Sequence, residues 1–266
     1  MGAVVHGGAI GRLAIVGDGL IGRSVQLAWR RRHPDASVIA LDRGDDLTPL
    51  GSADAVVLAA PVDAIVKILP RLAALAPGAA FITDTGSTKR AIVSAAAGVR
   101  RFVPGHPMAG GTSAGPAAAR ADLFDERPWF LLPGHAPADA REAARAFVTE
   151  LGAEAVPLDD DGVEHDRLVA AISHLPQVVA TALRARVGES VGADSLRYAG
   201  AGLRDTTRLA ASQASVWGPI LASNAPALAP LLRALADDLE RASRDLEDRG
   251  ATERLFARAH RFTFDP

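Results

Sequence analysis

Gly17-Asp18-Gly19-Leu20-Ile21-Gly22 fits the pattern G-x-G-x-x-G, with an apolar run ahead of it and an amphipathic run behind it. In a strand–turn–helix context the first glycine permits the tight turn. The second lets backbone approach a pyrophosphate, and the third lets helix and strand pack closely. The helix that follows presents free N–H groups and the positive end of its dipole to phosphates. Gly17, Gly19, Leu20, Ile21 and Gly22 are therefore expected to bind a dinucleotide. Asp42 ends the next strand-like run, 20 residues after Gly22. There a carboxylate accepts hydrogen bonds from the adenosine ribose and repels a 2′-phosphate, which favours NAD over NADP, with the adjacent Arg43 softening the preference. Pro61 follows a third strand-like run, reads as a first-turn helix proline, and is counted with the cofactor residues.

Nicotinamide chemistry also needs a base near the hydride-bearing carbon. His6 and His33 lie near chain ends or turns, and His135 and His260 in polar stretches, whereas His106 follows a strand-like run in Pro104-Gly105-His106-Pro107-Met108-Ala109-Gly110-Gly111. Strand ends are where open α/β sheets bind ligands; a turn histidine between prolines is the bland alternative. Ser87, in Asp84-Thr85-Gly86-Ser87-Thr88-Lys89, either caps the next helix or holds a hydroxyl near His106. Ser173-His174-Leu175-Pro176-Gln177 puts polar groups into an apolar helix, as a kink or as a binding segment. Arg204-Asp205-Thr206-Thr207-Arg208 offers an arginine that can fork onto a carboxylate or pair at the surface.

These residues need a scaffold. Short apolar runs at Arg12–Gly17, Ser37–Leu41, Ala55–Ala59, Ala79–Thr83 and Arg101–Pro104 alternate with helical patterns at Ile21–Arg32, Val62–Leu75 and Thr88–Ala97. Trp129–Leu132 and Glu154–Pro157 read as two more strands around a helix at Ala138–Leu151. The expected fold is α/β: a Rossmann-type doubly wound parallel sheet over residues 1–158, then an all-helical domain over 159–266. The second part is expected to open with a long helix from about Asp161 to Val187, capped by Asp159 and kinked at Pro176, and to include a helix at Pro226–Asp248 followed by a short C-terminal element.

The 266 residues carry a net charge of −2, with 48% apolar and 23% charged residues. That balance excludes a strongly basic nucleic-acid binder and a polybasic membrane-surface protein. The absence of cysteine excludes disulfides, thiolate metal sites and a cysteine nucleophile. No stretch reads as a membrane helix or a secretory signal, no metal cluster is visible, and a cytoplasmic protein is expected.

Taken together, the chain resembles the prephenate/arogenate dehydrogenase family of tyrosine biosynthesis over about residues 12–250. The specific signals are Asp84–Lys89, His106–Gly110, Ser173–Pro176 and Arg204-Asp205-Thr206-Thr207-Arg208-Leu209-Ala210-Ala211-Ser212, with Trp217 and Asn224 also in register. The resemblance implies NAD as cofactor and prephenate as substrate. It implies that His106 accepts the hydrogen bond of the substrate's C4 hydroxyl and that Ser87 assists. Arg208 would bind a substrate carboxylate, with Ser212, His174 and Gln177 in the pocket, and the helical domain would form a homodimer.

Two departures stand out. Gln177 occupies the position of a second histidine common in prephenate-using members; its amide is expected to donate to the keto-acid side chain. The regulatory ACT domain that many members carry is expected to be absent, since the sequence after the helical part leaves no room for one. Arogenate or an amino-deoxy analogue is the alternative substrate. A β-hydroxyacid dehydrogenase would be expected to place a catalytic lysine in the second half, yet none follows Lys89. A non-catalytic NAD-binding protein would have no use for Ser87 with His106.

Overall fold

The computed structural model describes residues 10–111 and 115–262; His6 lies outside them. Five parallel strands form the first sheet: β1 (Arg12–Val16), β2 (Ser37–Leu41), β3 (Ala55–Leu58), β4 (Phe81–Asp84) and β5 (Phe102–Val103), in the order β2-β1-β3-β4-β5. The order reverses at β1, which opens a crevice at the carboxyl ends of β1 and β3. Parallel strands covered on both faces need apolar residues at successive positions. Leu13, Ala14 and Ile15 of β1 and all of Ala55–Leu58 are accordingly buried. Val25 and Trp29 of α1 (Leu20–Arg32) and Phe147 of α4 (Ala138–Glu150) pack on one face with Leu13 and Ile15. Ile65, Leu69 and Leu72 of α2 (Val62–Leu75) and Ile92 of α3 (Arg90–Ala95) pack on the other with Ala14 and Val56.

The strand expected over Arg101–Pro104 stops at Val103. Proline supplies no N–H to a ladder, and after Pro104 the chain starts a second sheet. This sheet contains β6 (Gly105–Pro107), β7 (Pro128–Leu131) and β8 (Glu154–Pro157), with β6 antiparallel to β7 and β8 parallel to it. His106 is thus held inside a strand of its own, opposite Phe130, and not in the turn of the bland alternative.

The long helix expected from Asp161 is α5 (Val163–Val169), a π-helical turn at Ala170–His174, and α6 (Leu175–Val191). Gly162, not Asp159, occupies the cap position. The irregularity precedes Pro176, whose ring would clash with the carbonyl four residues earlier; the wider turn relieves that clash. An 18-residue window of Val163–Val191 reaches a mean hydropathy of 1.3, so this helix is long and apolar enough to cross a membrane by length and composition. That corrects the expectation that no stretch reads as a membrane helix. Here His165, Asp166, His174 and Gln177 are all buried and bonded to the rest of the chain, so one face of this helix is packed into the fold while most of the window is not buried. Then come α7 (Ala201–Thr206), α8 (Ala214–Ser223), α9 (Ala225–Arg244) and α10 (Arg249–Ala259). The helix expected over Pro226–Asp248 is α9, which stops at Arg244, and Asp248 instead caps α10 by accepting from the Gly250 N–H at 2.8 Å.

A fully buried ion pair joins the two sheets. Lys89 donates to the Asp84 carboxylate at the end of β4 and, at 2.6 Å, to the Gly105 carbonyl at the start of β6. Asp84 also accepts from the Gly86 N–H at 2.8 Å and the Gly105 N–H at 3.0 Å. Removing one partner of such a pair strands a buried charge. Lys89→Met is expected to cost about 3–5 kcal/mol in urea unfolding, and Asp84→Asn/Lys89→Met to recover part of that loss. Strictly additive losses would contradict this account.

Candidate active site

A cavity of about 530 Å³ lies between the glycine-rich turn and the helical half. Gly19, Leu20, Ile21 and Pro61 line one end of it. Gly17 has φ +107°, and a Cβ there would fall 2.3 Å from the Ala59 carbonyl oxygen; one on Gly22 would fall 1.9 Å from that of Gly17. Those two glycines close the turn, while Gly19 has nothing within 4 Å of its Cβ position and leaves the mouth of α1 open to an anion. Asp42 is exposed at the end of β2, its carboxylate accepting from the Arg43 N–H at 2.7 Å. Pro61 is the cap residue of α2 and not its first residue.

Ser87, His106, Ser173, His174 and Ser212 line the rest of the cavity together with Trp217. Behind His106 stands a residue the sequence reading passed over. His106 Nδ1 lies 2.9 Å from His165 Nε2, and His165 Nδ1 lies 2.9 Å from Asp166 Oδ1. Burial tends to raise the Asp166 carboxyl, but His165 and the N–H groups of Lys89 and Arg90 outweigh it and hold it below its ordinary value. The carboxylate is therefore ionised and accepts the His165 Nδ1–H. With His165 neutral, its Nε2 is a lone pair, which His106 meets by donating from Nδ1. His106 Nε2 is left as an acceptor, the tautomer a base requires.

Asp166 also settles the status of Ser87. The first N–H groups of α3 are taken by Asp166, from Lys89 at 2.6 Å and Arg90 at 3.1 Å. The helix is capped from the other half of the chain, and Ser87 is not its cap.

His174 is arranged differently. Its Nδ1 lies 3.1 Å from Asn224 Nδ2, which also donates to the Asp166 carbonyl at 2.7 Å. The ring stands edge-on to Trp217, centroids 5.9 Å apart at 85°. Gln177 is buried but does not line the cavity: its amide donates to the Leu209 carbonyl at 2.9 Å and to Thr181 Oγ1 at 3.3 Å. These bonds occupy the donors expected to meet a substrate side chain, and they tie α6 to the turn that carries Arg208 and Ser212. Arg208 itself is exposed and outside the cavity lining. Among the described residues, no Asp, Glu, Lys or Arg lines the cavity, and no cluster could hold a metal ion.

Burial, reinforced by His165, Lys89 and then His174, pushes His106 well below the ordinary 6.5. Burial also lowers His174 to about 4, with His165 adding to the effect and Asp166 opposing it. Both histidines thus stay neutral in the folded protein at pH values where an unfolded chain takes up protons. As pH falls below about 6.5, stability should decline by about 1.4 kcal/mol per pH unit for each, His174 contributing until it protonates near 4. Urea unfolding between pH 7 and 5 should show a shallower decline for His174→Gln than for the wild type. Equal slopes would contradict the assignment.

A parallel sheet with an open glycine-rich turn, facing a neutral histidine base across a cavity, defines a nucleotide-dependent dehydrogenase with a helical second part. Residues 21–157 match the family model for the prephenate dehydrogenase nucleotide-binding domain, and residues 161–260 the one for the prephenate dehydrogenase dimerization domain. The chain belongs to the prephenate dehydrogenase family. It is 33% identical over 254 residues to the cyclohexadienyl dehydrogenase of Zymomonas mobilis, covering 86% of each chain. It is 32% identical over 238 residues to the prephenate dehydrogenase of Bacillus subtilis, which covers 80% of this chain and 64% of that one. Among solved structures, the arogenate dehydrogenase of Synechocystis superposes with a TM-score of 0.76 at 26% identity, covering 94% of this chain and 97% of that one.

Proposed function

We propose that this protein catalyses the NAD-dependent oxidative decarboxylation of prephenate to 4-hydroxyphenylpyruvate, CO2 and NADH, a cytoplasmic step of tyrosine biosynthesis, as a homodimer. The observation that carries the reading is His106, whose acceptor edge is fixed by His165 and Asp166 in a cavity that begins at the glycine-rich turn.

Bound NAD supplies the acceptor for the hydride that leaves C4 of the substrate. His106 Nε2 accepts the C4 hydroxyl proton, with Ser87 orienting that hydroxyl. Loss of CO2 from C1 then makes the ring aromatic, so the protein need supply only a base, an orienting frame and an anchor. Ser212, which lines the cavity, is assigned to the substrate's carboxylate, with the exposed Arg208 on the preceding turn to close onto it. Asp42 and the open face at Gly19 support NAD, since an exposed carboxylate at the end of β2 disfavours a 2′-phosphate. The apolar exposure of Ile172, Val191, Val216 and Phe256 supports burial of the helical part against a second copy.

Prephenate is preferred over arogenate because no carboxylate among the described residues lines the cavity. An arogenate ammonium buried there would lack a partner, and a buried unpaired charge is costly. NADH absorbance with each substrate at saturating NAD should give a higher kcat/KM for prephenate; the reverse order would make arogenate the substrate. His106→Asn should retain NAD affinity and lose roughly 10²–10⁴ in turnover, the usual contribution of a general base. Near-normal turnover would remove His106 from the mechanism. In the wild type, the acid limb of kcat/KM should lie below the ordinary histidine value because burial, His165 and Lys89 disfavour the cation. A limb at 6–7, expected of an unperturbed histidine, would argue against that environment.

A further inference from the structure

Asn224 occupies a position where only one orientation of its amide works. Its side-chain nitrogen faces two groups at once, the Asp166 main-chain carbonyl at 2.7 Å and His174 Nδ1 at 3.1 Å. A carbonyl oxygen can only accept, so the atom facing it must be the NH2 group; the flipped amide would set two oxygens against each other. With one N–H given to Asp166, the second points at His174 Nδ1, which must then be an unprotonated lone pair. A neutral imidazole carries one proton, and His174 carries it on Nε2.

The burial of both groups makes this binding. Asn224 and His174 are 2% and 1% exposed, so bulk water cannot substitute for either partner. Nδ1 is turned inward to Asn224, the ring is held edge-on by Trp217, and His174 borders the cavity. Nε2–H is the polar edge left to face it. Asp166 and His165 on α5 are the other titratable groups acting on this ring, the carboxylate favouring the cation and His165 opposing it.

We propose that Asn224 is a positioning residue that locks His174 in the Nε2–H form, making it a neutral donor to an acceptor oxygen, carbonyl or carboxylate, of the bound substrate. The cavity then presents two histidines of opposite polarity: His106 offers a lone pair to a hydroxyl proton, and His174 offers a proton that it keeps. A fixed neutral donor prefers a keto or carboxylate oxygen and gives nothing to an ammonium. The donor role rests on the prephenate reading above; the tautomer does not.

The tautomer is read directly from the ¹⁵N shifts and couplings of histidine-labelled protein without substrate, with the His174 signals assigned by their loss in His174→Gln. The expected result is a pyridine-type Nδ1 and a pyrrole-type Nε2 in the wild type. In Asn224→Asp, which puts an acceptor against the ring, Nδ1 should become protonated. The same variant should raise KM for prephenate about tenfold with a smaller change in kcat, the size expected for one lost hydrogen bond. An Nδ1–H tautomer in the wild type overturns the proposal even if the variant does not fold, and so does an Nδ1 that stays unprotonated in Asn224→Asp. An unchanged KM overturns the donor role. A protein that turns over arogenate but not prephenate, with the tautomer as stated, refutes the substrate reading and leaves the lock standing.

Discussion

The site depends on one carboxylate. Asp166, from the first helix of the helical half, accepts from the Lys89 and Arg90 N–H groups that open α3 and from His165 Nδ1. A helix N-terminus leaves donors unsatisfied and carries partial positive charge, so an ionised acid is favoured there. The same charge fixes the His165 tautomer and, through it, that of His106. The interaction that docks the helical half on the sheet half is therefore also the one that makes His106 an acceptor. The Asp166 main-chain carbonyl takes a further bond from Asn224, so both cavity histidines are referenced to one residue.

Around this anchor the charges are kept one layer back. Asp84, Lys89 and Asp166 are buried behind the cavity wall, where their pairing is complete, while the described lining holds neutral donors and acceptors. In such surroundings an imidazolium is unfavourable, and a histidine retains its lone pair down to low pH. The exposed Arg208 lies on the turn that Gln177 holds through the Leu209 carbonyl. Gln177 thus serves to place a neighbouring segment, with its donors consumed inside the protein.

Features set by local pattern could be read from the sequence. The apolar runs of β1 and β3 and the glycine spacing of the first turn each depend on a few consecutive residues. His106 stood out through its place at a strand end. His165 did not, because a histidine beside Glu164 and Asp166 looks like the charged first turn of any helix. Its significance comes from Lys89 and His106, which are distant in sequence and meet it only after the two halves pack. The second sheet, and the π form of the break expected at Pro176, were not legible for a related reason. Each is a response to a proline, at 104 and 176, whose effect depends on what the neighbouring backbone can do instead of a regular ladder or helix. Gln177 was assigned to the substrate because its type suits one; only the packed turn at Leu209 shows where its donors go.

The central claim is that Asp166 acts on catalysis through His165 and His106 as one unit. A double-mutant cycle tests it most directly: kcat for prephenate oxidation in Asp166→Asn, His106→Asn and the double variant, each normalised to NAD-binding sites. Residues that act as a unit are strongly non-additive. The expected result is a loss of roughly a hundredfold or more in Asp166→Asn, with little further loss when it is added to His106→Asn. Turnover near the wild-type value in Asp166→Asn, or losses that simply multiply in the double variant, would contradict the account.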